Sequence, residues 1–271
     1  MAEIRIEGQG KLYGGRQDEA LAMVRAGAGK ADVLARTGCN VALCGIDMTL
    51  ADGDITVIMG LSGSGKSTLL RCLIRLIEPS FGAIRFDGAD ITRFTLPQLR
   101  AFRRQAASMV FQNFALLPHK SVLDNAAFGL TLKGVGRREA EARAAQWLGK
   151  LGLAGYERAR PAALSGGMRQ RVGLARALAC DPDVLLMDEA FSALDPLIRA
   201  DLQDELLDLQ RELGKTVIFV THDLGEALRL GNRIAVMRDG RLEQFAAPDE
   251  LLAKPATDYV ARFVGQVEAG R

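Results

Sequence analysis

The chain is poor in the residues that build metal centres and redox sites. It has two histidines and four cysteines in 271 residues, and no two cysteines fall as Cys-x-x-Cys. Zinc modules and dithiol catalysis are thereby excluded, and Cys39, Cys44, Cys72 and Cys180 read as buried, reduced thiols suited to a cytosol. Charge of one sign is also missing. The formal net charge is only +2 and no dense Lys/Arg run occurs, so no nucleic-acid footprint is written into the chain. No apolar run approaches the roughly 20 residues of a membrane span. Met1–Glu7 alternates charged and apolar residues and lacks the apolar core of a signal peptide. Heptad arrays, internal repeats and low-complexity segments are absent. These gaps leave a soluble α/β protein that reaches a membrane, if at all, through a partner.

What is present begins with Gly60-Leu-Ser-Gly-Ser-Gly-Lys-Ser-Thr68, a full match to the G-x-x-x-x-G-K-[ST] phosphate-binding loop. Ile55–Met59 before it is an apolar, partly β-branched run that predicts a buried strand. Leu69–Leu76 after it predicts a helix. Gly60, Gly63 and Gly65 allow successive N–H groups to converge on phosphate oxygens, and the helix start adds its positive dipole end. In that reading Ser62, Ser64 and Thr68 line the cradle, Lys66 reaches the β- and γ-phosphates, and Ser67 offers its hydroxyl to Mg²⁺. The ligand is therefore a nucleotide polyphosphate with Mg²⁺.

Along the chain, residues 1–15 predict a strand and turn ending at Tyr13-Gly-Gly15. Residues 16–38 turn helical, in Asp18–Arg25 and Lys30–Arg36, and form an insertion. Strands are predicted at Val41–Leu43, Ile46–Leu50 and Gly82–Phe86, the last closed by the Asp87-Gly88 turn. Thr95 can cap a helix with Pro97 in its first turn. Ser108–Phe111 is the next core strand, followed by Gln112. From 113 to about 176 the strand signal vanishes. Ser121 with Asp124 resembles a capping box, and Ala140, Ala144, Leu148 and Leu151 recur at helical spacing. Core strands resume at Val184–Met187 and Thr216–Val220, separated by a Leu202/Leu206/Leu209/Leu213 helix that Gly214 can end. Arg233–Arg238 and Arg241–Phe245 are joined by the hairpin dipeptide Asp239-Gly240. A helical tail follows from Pro248.

Two more constellations carry chemistry. Asp188-Glu189 closes a buried strand, the edge of a parallel sheet where ligands bind. Alone, such a pair reads equally as a solvated loop entry. Beside a phosphate loop, Asp188 suits Mg²⁺ and Glu189 suits a general base that polarises water. Ser165 opens a helix through Gly166-Gly167-Met168, which is either plain capping or a second anion site. A second cradle in a chain that already has one invites an intermolecular explanation.

The order of these motifs, with Gln112 after a strand, Leu-Ser-Gly-Gly-Met at 164–168, Ser192-Ala-Leu-Asp195 and Thr221-His222-Asp223, resembles that of an ATP-binding cassette (ABC) ATPase over nearly the whole chain. The resemblance implies a P-loop NTPase (RecA-like) core at about 1–112 and 177–245, with an N-terminal antiparallel β subdomain. It further implies a helical subdomain at about 113–176, beside the helical insertion 16–38 and a C-terminal helical tail, 246–271. It also implies a head-to-tail homodimer in which each ATP lies between one subunit's phosphate loop and the other's Ser165–Met168. Gln112 would sense Mg²⁺ and the attacking water and couple the site to a membrane partner. Asp195 would sit at the dimer interface, and His222 would contact the γ-phosphate; taken alone, His222 is a strand-end residue. Tyr13 resembles the aromatic platform for adenine, its plain alternative being a core tyrosine. His119 reads as structural or as part of a partner-facing groove.

The insertion ending Arg36-Thr-Gly38, Phe111–His119, and Met168 where many cassettes carry glutamine resemble the glycine betaine/proline (quaternary amine) uptake branch. That resemblance implies the ATP-hydrolysing subunit of an importer for glycine betaine, choline, proline or a related amine, peripheral on the cytoplasmic face of the plasma membrane. Its partners would be permease subunits and a substrate-binding protein. Importers of histidine or another amino acid are the alternative. A non-transport ABC ATPase fits less well, since no coiled coil or second phosphate loop is present. Many members of the branch continue into paired CBS domains. The eight residues Val264–Arg271, with Glu268 and Arg271 as their only charges, lead to the expectation of no CBS domains and no ionic-strength switch in the tail.

Overall fold

The computed structural model describes residues 3–268, with side chains to residue 265. Two compact units are present, one built from Met1–Thr95 with Val220–Arg271 and the other from Leu96–Phe219. Glu268 and Arg271, the two tail charges, lie outside the described side chains.

The first unit opens with β1 (Ile4–Tyr13), α1 (Gln17–Arg25), α2 (Lys30–Thr37) and β2 (Asn40–Leu50). It continues with β3 (Ile55–Met59), α3 (Lys66–Cys72), β4 (Phe81–Phe86) and β5 (Ala89–Asp90). The second carries α4 (Leu96–Gln105), β6 (Ala107–Val110), α5 (Val122–Leu132), α6 (Arg137–Lys150), α7 (Gly166–Leu178), β7 (Val184–Asp188) and α8 (Pro196–Leu213). After β8 (Thr216–Thr221), the first unit is completed by α9 (Leu224–Leu230), β9 (Arg233–Arg238), β10 (Arg241–Ala246), α10 (Pro248–Ala253) and α11 (Asp258–Glu268).

In the first unit, β1 pairs antiparallel with β2 and β4, and β5 extends that sheet as a hairpin. Separately, β3 runs parallel to β9, which turns antiparallel into β10. Every residue of β3 is buried, as expected of a strand covered on both faces. Both predicted hairpin dipeptides take left-handed backbone, Asp87 and Gly88 at φ 46° and 80°, Asp239 and Gly240 at 49° and 72°. Such turns match the twist of the strands they join.

The insertion α1–α2 folds back on its own base. Tyr13 at the end of β1 pairs with Asn40 at the start of β2, so the chain leaves and returns at neighbouring positions. Ala20, Val24 and Val33 bury their side chains against Leu12, Cys39, Val41 and Cys44. The excursion therefore stays local and leaves the Tyr13 end of the strand pair in register.

In the second unit, β6 and β7 are parallel, with β7 between β6 and β8. Among the described residues no strand lies between Val110 and Val184. The Ser121 capping box is complete: the Ser121 hydroxyl accepts the Asp124 N–H at 3.0 Å and the Asp124 carboxylate accepts the Ser121 N–H at 3.3 Å.

Two expectations are corrected. The helix expected at 69–76 spans Lys66–Cys72. Its start belongs to the phosphate loop itself. Beyond its end, Arg75 adopts φ 50° while its guanidinium binds the carbonyls of Ile91 and Phe94 and pairs with Glu78. These contacts turn the chain where the apolar pattern alone would continue it. The strands expected at 41–43 and 46–50 are one strand, β2, bent at Gly45 with φ 63°. Among the described residues no helix is long and apolar enough to cross a membrane.

Candidate functional site

In the first unit the phosphate loop connects the buried strand β3 to α3. Gly60, Gly63 and Gly65 take φ of 148°, 79° and 102°, all outside the ordinary range of residues with a Cβ. At Gly60 a Cβ would lie 2.2 Å from the Met237 carbonyl oxygen, and at Gly65 2.7 Å from that of Ala42. The glycines thus meet two demands, left-handed backbone and close approach to β9 and β2. Lys66 is 5% exposed, and its ammonium donates to the carbonyls of Gly60 (2.9 Å) and Leu61 (3.1 Å). This spans the loop's mouth with a cation. Ser62, Ser64, Ser67 and Thr68 belong to the same loop and helix start.

Tyr13 sits at the end of β1 and is 39% exposed, with the Lys11 ammonium 4.9 Å from its ring centroid. A half-open ring at a strand end can stack a base. His222 follows β8 and is exposed. The strand-to-helix turn around it is fixed by Asp223, which caps α9 by accepting the Glu226 N–H at 3.0 Å. Glu226 is 7% exposed and accepts the Thr221 hydroxyl at 2.5 Å, bracing the same turn. Glu226 carried no motif signal.

The second unit brings Gln112 and Glu189 together, with Asp188 one residue before Glu189. Asp188 ends β7 and is 3% exposed. Glu189, one residue on, adopts φ 47°, a strained left-handed conformation of the kind that collects at functional turns. The Gln112 amide nitrogen lies 3.4 Å from Glu189 Oε2 and 3.5 Å from Ser192 Oγ, at the long end of hydrogen bonding. Ser192 also donates its hydroxyl to the Glu189 carbonyl at 2.9 Å, locking the turn. Ser192 is thus a link between the Gln112 amide and the Glu189 backbone that the sequence reading placed only within a motif.

The segment after Gln112 is held in an unusual shape. Phe114 and Ala115 take φ of 58° and 46°, and the Arg176 guanidinium donates to both of their carbonyls, at 2.9 and 2.7 Å. Burial pushes the Arg176 pKa down from its ordinary value, the cost of placing that cation where it can bind the loop. Nearby a cavity of about 270 Å³ is lined by Ser108, Met109, Phe111, Phe128, Arg176 and Cys180.

Ser165 caps α7 by accepting the Met168 N–H at 3.3 Å. A Cβ at Gly167 would meet Ile198 Cγ2 at 2.6 Å, and one at Gly166 would touch Leu194 at 3.5 Å. The two glycines therefore pack against the Asp195 turn and the first turn of α8, besides baring helix N–H groups.

A glycine nest with an embedded lysine after a buried strand, together with a strand-end Asp-Glu pair and a second glycine-opened helix, defines a phosphate-loop nucleotide-binding protein of the cassette type. The chain belongs to the ABC transporter family, whose model, described as "ABC transporter", matches residues 43–192. It is 52% identical to the glycine betaine transport ATP-binding protein OpuAA of Bacillus subtilis, over 99% of this chain and 64% of that one. It is 49% identical to the glycine betaine/carnitine transport ATP-binding protein GbuA of Listeria monocytogenes (100% and 68%). Identity to ProV, of the Escherichia coli glycine betaine/proline betaine system, is 48% (98% and 66%). The chain thus spans about two thirds of the length of these relatives. Among solved structures, the ATP-binding cassette MJ0796, in a dimeric post-hydrolysis state bound to ADP and Pi, matches with a TM-score of 0.76 and 30% identity, over 90% of this chain and 98% of that one.

Proposed function

We propose that this chain is the ATP-hydrolysing subunit of an importer for a methylated amine such as glycine betaine. The observation that carries the chemistry is the Gln112–Glu189–Ser192 cluster at the end of a buried strand, in a chain that also holds the Lys66 loop. Lys66 and the loop N–H groups bind the β- and γ-phosphates, and Tyr13 stacks on adenine. Glu189 takes a proton from the attacking water, which Gln112 orients from its place beside the carboxylate. His222 contacts the γ-phosphate. Ser67 and Asp188 offer the hard oxygens that Mg²⁺ prefers, with Gln112 as a further ligand. When bound, that ion neutralises charge on the phosphates. Cradles at both Gly60–Thr68 and Ser165–Met168 support a dimer of two copies, each ATP completed by the partner's Ser165–Met168 with Asp195 at the interface. The relative solved as a dimer supports the same assembly.

The substrate class rests on the relatives. Their names give glycine betaine, carnitine and proline betaine, and a relative from Pelagibacter ubique, 45% identical, serves trimethylamine N-oxide. All are small solutes with a fully substituted nitrogen. Permease subunits would dock at the cavity beside Phe111 and Arg176, placing the membrane partner next to Gln112 on the cytoplasmic face. Transport by the complex reconstituted in vesicles tests this. ATP-dependent accumulation of glycine betaine, outcompeted by other methylated amines but not by histidine, is the expected result; histidine uptake would overturn the substrate class.

A further inference from the structure

Helix α7 carries two arginines on one face, and both hold the segment that follows Gln112. Arg169 and Arg176 are about two turns apart, with Gly173 between them on the same side. The Arg176 guanidinium uses two nitrogens, Nη2 for the Phe114 carbonyl at 2.9 Å and Nη1 for that of Ala115 at 2.7 Å. The Arg169 guanidinium lies 5.4 Å from the Phe114 ring centroid, and its Nη1 donates to the Leu164 carbonyl at 3.0 Å. At Gly173 a Cβ would stand 3.8 Å from the Phe114 carbonyl oxygen and 3.9 Å from Val110 Cγ1, so the segment lies directly against the helix there.

Phe114 and Ala115 both have left-handed backbone, which residues with a Cβ keep only where the surroundings impose it. Here the imposing group is the guanidinium fork. Its donors lie in one rigid plane and fix two successive carbonyls, which the point charge of an ammonium does not. The place of Gln112 follows. The Phe114 N–H donates to the Phe111 carbonyl at 3.0 Å, closing a turn that contains Gln112. From that turn the amide reaches Glu189 Oε2 and Ser192 Oγ at 3.4 and 3.5 Å, contacts with no slack for further displacement.

We infer that Arg176 is a positioning residue for Gln112, holding Phe114 and Ala115 in left-handed backbone so that the turn presents the amide to Glu189. This rests on the reading of Gln112 and Glu189 as the pair that handles the attacking water. It also joins two functional segments of this unit, because Arg169 on the same helix ties Phe114 to Leu164, the residue before the Ser165 cap.

The test is ATP hydrolysis by the full chain, with Arg176→Met made in the wild-type and in a Gln112→Ala background. Methionine fills much of the space and has no donor. In the wild-type background kcat should fall about 5–20-fold, the scale of a slightly misplaced catalytic group, with KM for ATP within about twofold. In the Gln112→Ala background the same substitution should lower kcat by less than about twofold, because the group it positions is already gone. Arg176→Lys keeps the charge without the fork, so its loss should be smaller but show the same dependence on Gln112. It carries the test if the methionine variant does not fold. Wild-type kcat in either variant would overturn the inference. So would an equal loss in both backgrounds, because a general loosening of α7 would then be the cause. Gln112→Ala alone separates the two levels. If it slows hydrolysis while Arg176→Met does not, the catalytic reading stands and the positioning fails. If it hydrolyses ATP at the wild-type rate, that reading falls and the positioning with it.

Discussion

The Ser64 carbonyl, inside the phosphate loop, accepts the Gly240 N–H from the β9–β10 turn at 2.9 Å. The Gly240 carbonyl in turn accepts the Cys44 N–H of β2 at 2.8 Å, so one hairpin residue joins the loop to a strand. Gly240 has φ 72°, and a Cβ there would lie 2.4 Å from the Ala42 carbonyl oxygen. Gly240→Ala is expected to cost about 2–4 kcal/mol, combining left-handed strain with a backbone clash. Urea unfolding of the isolated chain measures it, and a change below about 0.5 kcal/mol would show that the bridge is soft.

Ser192 links the Gln112 amide to the Glu189 backbone. Ser192→Ala should lower kcat for ATP hydrolysis roughly 3–10-fold with KM little changed, since one ordinary hydrogen bond near the reacting groups is lost. Steady-state kinetics decide it: a rise in KM alone would place Ser192 in ground-state binding instead.

The Ser121 hydroxyl, through its hydrogen bond, holds the Asp124 carboxyl below the ordinary carboxylate range. A depressed folded-state pKa contributes stability above the unfolded value, near 4, and loses it as pH falls through the folded value. Ser121→Ala should therefore cost about 1 kcal/mol at neutral pH, with part of that difference disappearing as the pH is lowered from about 5 to 2. Denaturation of both chains across that range checks the sign. A difference that grew on acidification would contradict it.

Burial pushes the Cys72 thiol up to about 12, and Cys180 is also raised by burial. At pH 8, about four units below the Cys72 value, little of that thiol is thiolate. Cys180, the one half-buried cysteine, should be the first to react with an aromatic disulfide reagent, and Cys72 should react only on unfolding. Mass mapping of the labelled native chain reads this out; early labelling of Cys72 would show that its helix opens readily.

The parts of this architecture legible in the sequence were those written locally. Five successive buried residues in β3, the glycine spacing of the loop, the Asp-Gly turns and the Ser121 box each need only a few neighbouring positions. Asp188-Glu189 was readable because a buried strand runs straight into it. The bridges were not readable. Gly240 to Ser64 and Arg176 to Phe114 join positions far apart in the chain through backbone atoms, which leave no residue pattern behind. The α3 boundary was missed for a related reason: the Arg75 turn is set by carbonyls of Ile91 and Phe94.

The central claim is that Glu189 is the base in an ATP site built on the Lys66 loop. Turnover and ATP affinity measured side by side on wild type, Glu189→Gln and Lys66→Ala test it most directly. Glu189→Gln should bind ATP about as tightly as wild type while hydrolysis slows about 10²–10⁴-fold, and Lys66→Ala should lose affinity itself. Wild-type turnover in Glu189→Gln would contradict the account.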